Sequence, residues 1–139
     1  MLKDILIVDG YNVIFAWQSL KKLANESLEH ARMELRNQLL NYGKFKGYEV
    51  ILVFDGKYTK SIASIEEITK GFIEVYTDDG ETADSFIERE VFLRQGKYTN
   101  VYVVTSDGAE QNQILGSGGL RIPARELQND MRLAKQEER

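Results

Sequence analysis

The sequence predicts an α/β fold with a mostly parallel sheet, and three observations carry that prediction. Short runs of β-branched and aliphatic residues alternate with stretches of helical period, the order expected of βαβ units. The runs are continuously apolar, as strands covered on both faces require. Three of the four lead into an aspartate: Asp9 directly after Val8, Asp55 directly after Phe54, and Asp107 after Thr105-Ser106.

Ile5-Leu6-Ile7-Val8 is the first predicted strand, broken by Asp9-Gly10-Tyr11-Asn12. Residues 28–42 read as a helix, because Ala31, Leu35, Leu39 and Tyr42 recur at i, i+4, i+8 and i+11. A glycine-bearing turn over 44–48 leads to the second strand, Val50-Ile51-Leu52-Val53-Phe54. Residues 57–70 are polar without a clear period and read as a mobile surface segment. Phe72-Ile73-Glu74-Val75-Tyr76 is a third, shorter strand, followed by the turn Asp78-Asp79-Gly80. A helix is expected from Thr82 to about 95, with Ala83, Phe86, Ile87 and Val91 as its buried stripe. Val101-Tyr102-Val103-Val104 is the fourth strand. A short helix should follow it and stop at Gly116-Ser117-Gly118-Gly119, which lacks the lysine of a phosphate-binding loop. From Pro123 onward the chain reads as a charged C-terminal helix, with proline in its first turn. The crossovers should be right-handed.

The 139 residues suit one domain with one core, and no internal repeat or linker interrupts them. With no cysteine, disulfides, thiolate zinc sites and cysteine nucleophiles are excluded, and a reducing, cytoplasmic setting is expected. Asp4 stands where an export signal would be basic, and no apolar stretch nears the ~20 residues of a membrane span. The net charge of −4 argues against indiscriminate nucleic-acid binding, which rests on cationic surface. The charge is uneven. Residues 66–90 hold nine acids against two bases, a local charge of −7, which leaves the rest slightly basic.

Ligands of open α/β sheets bind outside the carboxyl ends of the strands. Parallel strands would aim Asp9, Asp55 and Asp107 at one crevice there. Converging like charges are costly unless a cation sits among them, and carboxylates suit a hard ion such as Mg²⁺ or Mn²⁺. Asp84 can join from the first turn of its helix, with Glu81 and Glu88 as further candidates. Such an ion acidifies a bound water and neutralises phosphoryl oxygens, the chemistry of phosphodiester hydrolysis. Each residue also has an ordinary role. Strand-ending aspartates form turns. Asp84 complements a helix dipole. Asn12 closes an Asx-type turn, Thr105 and Ser106 bond locally, and Glu81 and Glu88 stay solvated. His30 belongs to a helix surface, and Tyr11, Phe15 and Trp17 read as core.

Ile7-Val8-Asp9-Gly10-Tyr11-Asn12 resembles the opening signature of NYN domains, a branch of the PIN-like nucleases. Phe54-Asp55-Gly56, Glu81-Thr82-Ala83-Asp84 with Glu88, and Thr105-Ser106-Asp107 follow in that family's order. Ala124-Arg125-Glu126-Leu127 after a glycine-rich turn resembles the YacP-type subgroup, and the likeness spans residues 6–127. The resemblance implies a PIN-like three-layer α/β/α fold and a metal-dependent endoribonuclease. Asp9, Asp84 and Asp107 match acidic positions of the family's metal site, and Asn12 its signature asparagine. Asp55 matches a site-proximal position. Relatives of this type cleave messenger RNA on ribosomes, so a translating ribosome is the partner implied. They usually continue into a longer basic tail, whereas this sequence stops at Arg139; if that tail assists contact, weaker RNA or ribosome binding is expected.

The mechanism expected is in-line attack on the phosphodiester at ions held by Asp9, Asp84 and Asp107, with Asn12 and Ser106 positioning phosphate or water. Lys44, Lys46, Lys57, Lys60, Arg121 and Arg125 are the basic residues expected to flank the site and meet RNA. Two alternatives stand beside this. One is a catalytically idle RNA- or ribosome-binding module on the same scaffold. The other is a phosphoacceptor receiver with Asp55 and Thr105 in the key roles, although Gly10 stands where a receiver has a second acid. Other phosphoesterase substrates, small nucleotides or DNA, share the same chemistry.

Overall fold

The computed structural model describes residues 2–59, 62–105 and 118–137. Its strands are β1 (Ile5–Asp9), β2 (Glu49–Phe54), β3 (Ser64–Thr69), β4 (Phe72–Tyr76), β5 (Val101–Val104) and β6 (Leu120–Ile122). Its helices are α1 (Gly10–Ala16), α2 (Gln18–Glu26), α3 (Leu28–Lys46), the single turn α4 (Gly56–Thr59), α5 (Ala83–Leu93) and α6 (Ala124–Glu137). The sheet runs β3-β4-β2-β1-β5-β6. All neighbours pair in parallel except β3, which lies antiparallel to β4 at the edge. The expected α/β class with a mostly parallel sheet is therefore what forms, and its layering is that of a PIN-like α/β/α domain.

Period-two alternation divides the core. Leu6 and Val8 of β1, with Val50, Leu52 and Phe54 of β2, face α1, α2, α3 and α6. Ile5, Ile7, Ile51, Val53, Val101 and Val103 face α5. On the first side α3 contributes Ala31, Leu35 and Leu39, each fully buried. Every such leucine stabilises the layer by about 1.5–3 kcal/mol. Ser27 starts α3, its Oγ accepting from the His30 amide at 3.2 Å, and His30 is exposed as expected. Thr82 caps α5 in the same way, its Oγ1 accepting from the Ser85 amide at 3.1 Å.

The structure corrects the sequence reading in four places. The first is the turn expected over 44–48, where α3 instead continues to Lys46 and is closed by Gly47 in the left-handed conformation. Residues 57–70 contain α4 and the edge strand β3 rather than a shapeless segment. The strand is exposed along nearly its whole length, so it carries no buried stripe, and Glu66 and Glu67 give it the charge typical of a guarded edge. The chain does not merely turn after Asp9: α1 begins at Gly10 itself and α2 follows. Finally, β6 adds a sixth strand beside β5. The short helix expected after Thr105, together with Gly116 and Ser117 of its stop, lies outside the described residues. Among the described residues no helix is long and apolar enough to cross a membrane.

Candidate active site at the carboxyl edge of the sheet

Alternation along the strands decides what reaches this edge. Asp9 follows Ile5 and Ile7 in phase, and Asp55 follows Ile51 and Val53, so both carboxylates emerge on the α5 face of neighbouring strands. Thr105 continues Val101 and Val103 to the same face and is fully buried. On that face the first turn of α5 brings up Asp84. Asp9, Asp55, Asp84 and Asn12 thus line one open cleft of about 390 Å³. Asp9 is only 8% exposed, and its side chain does not cap α1.

Two glycines make this geometry possible. A Cβ on Gly10 would lie 2.3 Å from the Phe54 ring, so only glycine lets α1 start immediately after Asp9 and pack on β2. A Cβ on Gly56 would lie 1.9 Å from the Thr77 carbonyl oxygen. Instead the Gly56 amide donates to Thr77 Oγ1 at 3.0 Å, while the Lys57 amide donates to Asp55 Oδ1, also at 3.0 Å. The Asp55 carboxylate is thereby fixed in an Asx-type turn at the cleft.

A polar network supports the site from the helical side. Arg32 Nη1 donates to the Tyr11 hydroxyl at 3.2 Å. Burial raises the Tyr11 phenol above its ordinary value, against the lowering influence of Arg32. Behind it, Glu74 on β4 is 1% exposed and accepts from Arg36 Nε at 2.8 Å and Nη2 at 2.7 Å. That bidentate bond raises the Arg36 guanidinium further and ties α3 to the sheet. The Tyr76 hydroxyl donates to the same carboxylate at 3.2 Å. Arg32, Arg36 and Glu74 carry no sequence signal of this role, because mid-helix arginines and a lone strand acid read as solvated.

The remaining expected site residues divide clearly. Ser106, Asp107 and Lys60 lie outside the described residues. Glu81 pairs with Arg89 at 2.5 Å and does not line the cleft. Glu88 faces a separate shallow groove with Ser85, Arg89 and Phe92. Lys57, two residues after Asp55, does not itself line the cleft; its ammonium stands 5.6 Å from the ring centre of Tyr58, which does. Arg125 is exposed in the first turn of α6, just beyond the carboxyl end of β6. Arg121 is half-buried within β6. Lys44 and Lys46 do not flank the site: α3 ends where β2 begins, which is the opposite edge of a parallel sheet. There Lys44 shares a cavity with Lys3 and Gly71, and Lys46 pairs with Asp130 at 3.9 Å. Trp17 and Tyr11 are core residues at 2% and 4% exposure. Phe15 is not; it is 47% exposed at the cleft.

The donor chemistry of the cleft, carboxylates and an amide oxygen, fits a hard divalent ion. Among the described residues, however, no three acidic, histidine or cysteine side chains come close enough together to hold one.

The chain is similar to known proteins over nearly its whole length. Residues 6–139 match the model of the YacP-like NYN domain. The chain is 42% identical over 125 residues to the uncharacterized protein YacP of Bacillus subtilis strain 168, covering 89% of this chain and 72% of that protein. It also superposes on the crystal structure of Rae1 (YacP) from Bacillus subtilis with a TM-score of 0.79 and 37% identity, over 96% of this chain and 76% of that one. A tryptophan-to-leucine mutant of the same protein gives a TM-score of 0.83 at 36% identity, over 96% and 77%. The family match, the sequence identity and the shared fold agree, and the chain belongs to the YacP-like NYN domain family, a nuclease-type, RNA-related class.

Proposed function

We propose that this protein is a metal-dependent endoribonuclease that hydrolyses phosphodiester bonds of RNA, with messenger RNA on the ribosome as its cytoplasmic substrate. The single observation that supports this reading most is the convergence of Asp9, Asp55 and Asp84 with Asn12 in one cleft of an NYN domain. Asp9 and Asp84, joined by Asp107 as the sequence motif suggests, are the residues that would hold Mg²⁺ or Mn²⁺. The ion, when bound, supplies charge neutralisation on the phosphoryl oxygens and acidifies water. The chain does the rest. The Asn12 amide donates to a phosphate oxygen or orients the attacking water. Ser106, two residues past β5 in the sequence, would serve the same end. Lys57 offsets the negative charge of an incoming strand beside the three acids. The Asp55 turn holds the floor of the cleft rigid, so that the phosphate is presented in one orientation.

Asp9→Asn and Asp84→Asn keep the side-chain volume and remove the charge. Each is expected to lower Mn²⁺-dependent kcat/KM on a single-stranded RNA by at least about 100-fold, since several kcal/mol of transition-state stabilisation rest on the ion. Undiminished cleavage by both purified variants would overturn the assignment. The alternative is a catalytically idle RNA- or ribosome-binding module on the same fold. The same assay separates the two, because an idle module binds the RNA in the presence of metal and never cuts it.

A further inference from the structure

The cleft has a second chemical character besides its acids. Phe15 and Tyr58 line it with 47% and 52% of their surfaces exposed. Both lean on the same buried ring. Tyr11 lies 6.3 Å from Phe15 in a stacked arrangement and 5.1 Å from Tyr58 edge-on, and is itself held by Arg32. Tyr11 also packs on Phe54 at 5.0 Å. The two outer rings are therefore mounted on a rigid base, and neither is needed to close the core. The Lys57 ammonium stands over the Tyr58 ring, placing a cation at the edge of the apolar surface.

An acid-lined cleft on a protein of net charge −4 repels a polyanion, so phosphate contacts alone hold RNA poorly here. Aromatic stacking is indifferent to that charge. Every nucleobase offers a π-face, and rings on a fixed support lose little entropy when they are covered. We propose that Phe15 and Tyr58 form a stacking platform for unpaired nucleobases beside the bond to be cut, so that this site selects unstacked single strands over duplex. A base inside a duplex has both faces covered by its neighbours and cannot use such a platform. The proposal rests on reading the cleft as a phosphodiester site and adds the recognition of bases to it. Phe45 and Phe92, which are also exposed, lie away from the cleft and serve as controls.

The experiment measures equilibrium binding of three fluorescent 12-nucleotide probes to the Asp9→Asn protein in Mn²⁺: an unpaired RNA, the same RNA annealed to its complement, and a backbone of abasic units. Phe15→Ala and Tyr58→Ala should each weaken binding of the unpaired RNA by about 5- to 150-fold and leave the abasic probe unchanged. Tyr58→Phe keeps the ring and should restore affinity, and Phe92→Ala should match the parent. If the alanine variants, shown folded by circular dichroism, bind the unpaired RNA as the parent does, the platform is wrong while the nuclease reading stands. Equal loss on the abasic probe would also overturn it, since the rings would then act through structure alone. If the parent binds none of the probes and the wild-type protein cuts no RNA, both readings fall together.

Discussion

Gly56 occupies a place that no other residue can fill without moving the chain. Its missing side chain lets the turn after β2 lie against the Thr77 carbonyl, and that turn carries Asp55. Gly56→Ala should cost about 1–3 kcal/mol of stability, the usual range for overpacking a tight contact, and should lower RNA cleavage as Asp55 is displaced. A urea titration checks the first part; a midpoint equal to wild type would show that the turn yields freely. At this scale part of the site was legible. An apolar run ending in aspartate, repeated along the chain, correctly brought Asp9 and Asp55 to one edge, because period-two alternation and parallel pairing leave few other arrangements. Asp84 was legible from its place in a first helical turn. Glu81 and Glu88 were not separable from it by spacing. An acid eight residues from an arginine on a helix gives no sign that Arg89 folds back onto it.

At the scale of elements, α6 is held to the body by few but specific contacts. Trp17 Nε1 donates to the Ala124 carbonyl at 2.8 Å, and the Tyr42 hydroxyl donates to Asp130. Trp17→Phe removes the buried donor and some packed volume, a loss of about 1–3 kcal/mol. The amides of α6 should then exchange faster with deuterium while those of α5, on the other face, keep wild-type protection. Uniform change across both helices would mean that α6 is not separately docked. Helix α3 was predicted from its periodic Ala31, Leu35, Leu39 and Tyr42, and it extends to Lys46. Strand β3 was missed because recognition by hydrophobic pattern needs a buried face, and an edge strand exposed on both faces has none.

Across the whole molecule, the tyrosines couple stability to alkaline pH. Burial is the largest cause raising the phenols of Tyr11, Tyr42, Tyr48, Tyr76, Tyr98 and Tyr102 above 10.0. For Tyr42, the hydrogen bond to Asp130 adds to burial in the same direction. A raised folded-state pKa means that the native chain keeps its proton where the unfolded chain loses it. The stabilisation is complete below about pH 10 and declines as pH rises above it, by up to ~1.4 kcal/mol per pH unit for each tyrosine. Urea titrations between pH 8 and 11 should show this fall, and Tyr42→Phe should make it shallower. An unchanged slope in that variant would remove Tyr42 from the account.

The class of fold, the strands at its centre and the placement of Asp9 and Asp55 at the carboxyl edge were legible in the residue order, because periodicity and strand-ending residues act within a few positions along the chain. The family was legible as a resemblance of motifs. Only the tertiary structure decided at which end of the parallel sheet each basic residue falls: Lys44 shares a cavity at the end opposite the cleft, whereas Lys57 lies against Tyr58, a residue of the cleft lining. It likewise decided that Trp17 is buried and Phe15 is not, although they are two positions apart. Helix α1 ends between them, so Trp17 reaches Ala124 from 107 residues away and Phe15 is left at the cleft beside Tyr11. Burial is settled by what the rest of the chain packs against a side chain, and no local pattern contains that.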